Sequence, residues 1–111
     1  MNASKRTTAT KEQDMSIIYE VAAKAAKDLH HYASDFDCAL INLKSLKACV
    51  AEVLREVDAA LSQYEEHNGC MCSGVIQFTM QQGIKGRSGN DYAQSCYRTA
   101  RQLANIAGIE L

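Results

Sequence analysis

Proline and tryptophan are absent from the 111 residues, and aromatic side chains make up only 6%. Without proline no residue forces a helix to break, and between Met15 and Tyr64 there is no glycine either. No apolar run approaches the roughly 18 residues of a membrane-crossing helix, so no membrane partner is expected. The opening residues, Met1-Asn2-Ala3-Ser4-Lys5-Arg6-Thr7-Thr8, carry a charge pair with no apolar stretch behind it, unlike a secretory signal. Net charge is −1, too small to draw the chain as a whole to nucleic acid or an anionic surface. The charge is uneven, however. Residues 1–66 carry eight Lys/Arg against eleven Asp/Glu, and residues 67–111 carry four against two.

What the sequence has in quantity is apolar periodicity. Read in sevens, one series runs Met15, Ala22, Leu29, Phe36, Leu43, Val50, Val57, Tyr64, and a second runs Ile18, Ala25, Tyr32, Ala39, Leu46, Val53, Ala60. That spacing is the pattern of an α-helical seam. The neighbouring column, Tyr19, Ala26, Ala33, Leu40, Lys47, Leu54, Leu61, is mostly apolar as well. Three apolar columns in seven make a stripe too broad for a two-stranded coiled coil and suited to a multi-helix core. The other face carries Glu20, Lys24, Lys27, Lys44, Glu52, Arg55 and Glu66, an ordinary solvated surface.

A single helix over Met15–Tyr64 would be about 75 Å long, more than a compact domain of this size spans. The cluster Ser34-Asp35-Phe36-Asp37 offers a break, with Ser34 and Asp37 spaced as in a capping box. The expected fold is therefore all-α: a long helical hairpin, about 12–34 and 36–66, with one or two shorter C-terminal helices in a small bundle. Residues 1–11 read as a flexible polar segment and 12–111 as one helical domain. The competing arrangement is one continuous helix in an oligomer, supported by the register that stays in phase across the turn.

Alanines 22, 23, 25 and 26 make the first helix thin enough for close approach, while the bulkier second helix is expected to form the spine of the core. His67-Asn68-Gly69 ends that helix. Val75-Ile-Gln-Phe-Thr-Met-Gln-Gln82 alternates like a strand, but no strand partner exists elsewhere, so it reads as a short third helix. Gly83–Gly89 is a loop, and the last helix runs from about Asn90 to Ala107. Its cap is Ser88 or Asn90, its seam Ala93, Cys96, Ala100, Leu103 and Ala107, and its stop Gly108.

Two constellations suggest binding chemistry. His67, Cys70 and Cys72, with Cys96 as a fourth ligand, supply the soft donors that zinc takes in a tetrahedron. The spacing departs from the paired Cys-x-x-Cys of most zinc modules. Five cysteines without a signal segment otherwise indicate reduced thiols in a cytoplasmic protein. The second constellation is Gly83-Ile-Lys85-Gly86-Arg87-Ser88-Gly89 before the last helix, where free backbone, two cations, a hydroxyl and a helix N-terminus resemble the parts of a phosphate cradle. Arg98 and Arg101 extend that basic character along the helix. The spacing is not that of a Walker loop, and the seven-residue connection is too long for a helix-turn-helix. His30 and His31 are adjacent on a helix, about 100° apart, and do not converge on one metal.

No spacing here suggests a catalytic nucleophile. The expected function is a non-enzymatic protein-interaction module, an adaptor, inhibitor or regulator of the kind common on phages and mobile elements. The broad stripe points to self-association, most simply a two-fold dimer. The rival expectation is nucleotide or nucleic-acid phosphate binding by Lys85, Gly86, Arg87, Ser88, Arg98 and Arg101.

Overall fold

The computed structural model describes the backbone of residues 3–68 and 71–111, and the side chains of residues 17–62 and 75–111. Four helices follow in order: α1 Ala3–Asp37, α2 Leu43–Asn68, α3 Met71–Gly83 and α4 Gly89–Ala107. No strand occurs among the described residues. The long axis of the molecule is 57 Å, close to the roughly 52 Å that a helix of α1's length spans.

The expected all-α hairpin with two shorter helices is what forms, but the turn lies later than expected. The chain reverses at Cys38–Asn42 and not at Ser34–Asp37, which is helical throughout. Asp35 and Asp37 stay within α1 because the helix is ended by backbone geometry alone. Ala39 adopts a left-handed φ of 61°. Its N–H donates to Phe36 O at 3.0 Å and the Leu40 N–H to Asp35 O at 2.9 Å. Those two bonds are a Schellman closure, usually built on glycine. The next helix is capped by Asn42, whose Oδ1 accepts from the Ser45 N–H at 2.8 Å. At the other end, α1 starts at Ala3 rather than near Glu12.

α4 runs antiparallel to α1, its start at Gly89 lying against Phe36 and its middle against His30. Lys24 on α1 reaches Glu56 on α2 at 3.0 Å, and the His30 ring meets the Tyr97 ring of α4 edge-on at 5.1 Å. The spine is α1, not the bulkier α2: α1 packs most extensively on α4 and next on α2. Small residues explain this. Ala22, Ala25, Ala26 and Ala33 of α1 and Ala93, Ala100 and Ala104 of α4 are all buried, and alanine faces let two backbones approach closely. From α2 come the larger wedges Leu46, Val50, Val53, Val57 and Leu61, and from α3 come Ile76 and Met80. Each such side chain contributes about 1.5–3 kcal/mol of hydrophobic stabilisation. Lys47, the charged member of an apolar column, is accommodated with its ammonium 5.5 Å from the centre of the Tyr92 ring.

Candidate functional site

The expected loop forms over 84–88, shorter than expected because Gly83 still belongs to α3 and Gly89 already opens α4, and Ser88 is the expected cap. Ser88 Oγ accepts the Asp91 N–H at 3.2 Å, and Gly108 closes α4 with a φ of 71°. The loop's glycines, however, serve packing. A Cβ on Gly83 would overlap Thr99 Oγ1. One on Gly86 would stand 2.6 Å from Tyr92 N, and one on Gly89 would stand 2.5 Å from the tip of the Phe36 ring. Each glycine lets the loop or the start of α4 lie flush on a neighbour.

Hydrogen bonds fix the same segment. The Lys85 N–H donates to Ser95 Oγ at 3.0 Å, and that hydroxyl donates to Tyr92 O at 2.7 Å. Ser95 is fully buried, so its hydroxyl is the internal clasp of the loop. The side chains of Lys85, Arg87 and Ser88 are exposed, as are Gly86, Arg98 and Arg101. The helix N-terminus already holds its own carboxylate, Asp91, in the first turn, the charge that the helix dipole favours there. Arg98 lies about 15 Å along α4 from Ser88. Arg101 borders a different concavity, with His30, Tyr97, Asn105 and Glu110. Of the loop cations Lys85 lies nearer the helix arginines, since its N–H is bonded to Ser95, one turn of α4 from Arg98.

Of the zinc candidates, Cys70 and the side chains of His67 and Cys72 lie outside the described residues. Cys96 is fully buried, and removal from water pushes its thiol up to about 12. No group of three or more His, Cys, Asp or Glu is placed to hold a metal among the described residues. His30 and His31 diverge as their spacing requires. His30 turns to Tyr97, while His31 pairs with Asp35 at 3.3 Å one turn away.

The feature that sequence reasoning missed is an uncharged face on α3 and α4. Phe78 is 66% exposed and Val75 52% exposed. A surface groove beside them is lined by Phe78, Thr79, Gln82, Gly83, Gln102, Asn105 and Ile106, none of them ionisable. Strand-like alternation groups Phe78 with Ile76 and Met80. Helical spacing separates them, turning Ile76 and Met80 inward and Val75, Phe78 and Gln82 outward. The absence of charge from Val75 to Gly83 was the available signal.

Comparison with protein families, with curated proteins and with solved structures finds no match to this chain. Among the described residues no helix is long and apolar enough to cross a membrane.

Proposed function

We propose that this protein is a small non-enzymatic interaction module, an adaptor, inhibitor or regulator, that binds another protein through the uncharged face of α3 and α4. The observation that carries the reading is Phe78, a large aromatic side chain two-thirds exposed beside a groove without a charge on its walls. In a chain where 23% of residues are charged, such a surface has the composition of an interface centre: aromatic anchor, apolar flank and neutral amides. A partner that fits it presents an apolar, uncharged patch of its own. A role on a mobile element, blocking a host protein, is compatible with this mode of action.

The second reading is phosphate or nucleic-acid binding at the exposed Lys85 and Arg87. One experiment separates the two. Affinity capture from the protein's own host compares the native chain with Phe78→Asp and with the double variant Lys85→Glu/Arg87→Glu, with circular dichroism confirming helicity. Under the protein-interaction reading Phe78→Asp loses the captured protein and the charge-reversed loop retains it. The opposite pattern, with nucleic acid or nucleotide in the native eluate, overturns the reading in favour of the loop.

A further inference from the structure

We infer that the α1–α2 hairpin is a hinge: residues 38–42 straighten into helix, and two copies of this chain exchange α1 to form a dimer. The first support is register. Phe36 to Leu43 and Ala39 to Leu46 keep the heptad spacing through the turn, although the observed chain reverses between them. A connection that only reverses the chain has no need of that phase. Straightened, α1 and α2 form one helix about 100 Å long with a continuous apolar stripe.

The second support is the composition of the hinge. Cys38-Ala39-Leu40-Ile41-Asn42 contains no glycine or proline, and alanine and leucine are among the strongest helix formers. The turn places alanine where glycine is usual, at a φ of 61°. A left-handed conformation strains any residue with a Cβ, and helix formation relieves that strain. Short strained hinges are the connections that favour exchange between copies.

The third support is Leu40, 72% exposed in the hairpin. Of its column mates, Tyr19 and Lys47 are exposed and Leu54 is half-buried, while Ala26, Ala33 and Leu61 are buried. In the straight helix Leu40 joins their side of the stripe and meets the partner near the two-fold axis. The occupant has to be a second copy. When α1 leaves, it uncovers the apolar faces of α4 and α2 that it packs against most extensively, and the surface that matches them is another α1. Outside the hinge itself, the exchange thereby restores the α1–α4 and α1–α2 packing of the closed bundle between copies.

The Lys24–Glu56 ion pair, 3.0 Å across the α1–α2 contact, reports which copy supplies α1. Equal amounts of light and 15N-labelled full-length chain are refolded together over a concentration series, sized by light scattering, and treated with a zero-length carbodiimide cross-linker. The expected result is a dimer in which half of the Lys24–Glu56 cross-links join light to heavy peptides. Ala39→Gly relaxes the closed turn and weakens the straight helix, so it should favour the closed form by about tenfold per chain, about a hundredfold in the dimer's dissociation constant. Asn42→Ala removes the cap of the closed form and should tighten the dimer by about 25-fold, roughly fivefold per chain.

Three results overturn the inference. They are a monomer at every concentration for all three chains, a dimer cross-linked only within each copy, and a mixed-isotope dimer indifferent to both hinge variants. Phe78→Asp leaves the exchange intact, so failure of the α3–α4 interface reading and failure of the hinge are separately visible.

Discussion

The hydroxyl of Tyr97 donates to Asp37 Oδ2 at 2.8 Å, joining the middle of α4 to the last turn of α1. Asp37 is an acid at a helix C-terminus, where the dipole disfavours negative charge, and the tyrosine supplies the compensating donor. Loss of water around the ring, then the bond to Asp37 and its charge, push the Tyr97 hydroxyl up to about 12. The folded chain therefore holds this proton where the unfolded chain, at 10.0, releases it. Stability from this group is complete below pH 10 and falls as pH rises toward 12. Cys96, raised from 9.0 to about 12, acts in the same direction from pH 9 upward. Tyr32 and Tyr92 are also raised by burial, so tyrosinate absorbance should show several late-titrating tyrosines, with the latest component lost in Tyr97→Phe. Melting temperature should fall steeply above pH 9–10, and less steeply in that variant.

The closed turn is strained at one end and well capped at the other. Ala39 occupies a left-handed position without being glycine, whereas Asn42 is a well-formed cap. Ala39→Gly should stabilise the fold by about 0.5–1 kcal/mol, the relief of strain less the added freedom of the unfolded chain. Asn42→Ala should cost about 1 kcal/mol. Urea denaturation at low protein concentration, where the closed form dominates, measures both.

The same turn shows where the sequence was legible and where it was not. Helix identity was legible because heptad spacing reports a face: Ala22, Leu29, Val50 and Val57 from one series and Ile18, Ala25, Leu46 and Val53 from the other are all buried. Gly108 and Ser88 were legible because each acts locally through its own geometry. The turn was displaced because Ala39 leaves no trace in the sequence, while Ser34 and Asp37 imitate a cap that α1 runs through. Leu40 and Tyr19 belong to an apolar column yet are exposed, since a hairpin gives each helix only the neighbours that its ends allow. At the loop, composition pointed to a cradle because glycine freedom and glycine smallness look alike in sequence. The contacts of Gly83 and Gly89 with Thr99 and Phe36 require smallness, while Gly86 combines close approach to Tyr92 with a φ of 159°.

Cysteine chemistry should divide by burial. Cys38 is exposed at the turn, Cys49 is half-buried and Cys96 is enclosed. With a thiol reagent at neutral pH, peptide mapping should find Cys38 modified in the native state and Cys96 modified only after unfolding, because the reactive thiolate is both inaccessible and disfavoured there. Native-state labelling of Cys96 as fast as Cys38 would contradict the packing of α4 against α1.

The contact between Gly83 and Thr99 makes the sharpest packing test. Thr99 is 1% exposed, and among the described residues its Oγ1 has no hydrogen-bond partner. A buried hydroxyl without a partner costs about 1–3 kcal/mol, so Thr99→Val, which keeps the shape and removes the hydroxyl, should raise stability by about 1 kcal/mol. Gly83→Ala drives a methyl into the same hydroxyl and should cost about 1–3 kcal/mol through overpacking. Thr99→Ala vacates that space, at the price of a smaller core side chain. Adding Gly83→Ala to Thr99→Ala should therefore cost far less than Gly83→Ala alone, a coupling of about 1 kcal/mol or more in a double-mutant cycle. Simple additivity would mean that the two residues do not touch. In that case the close approach of α3 to α4, which turns Phe78 outward, would need another cause.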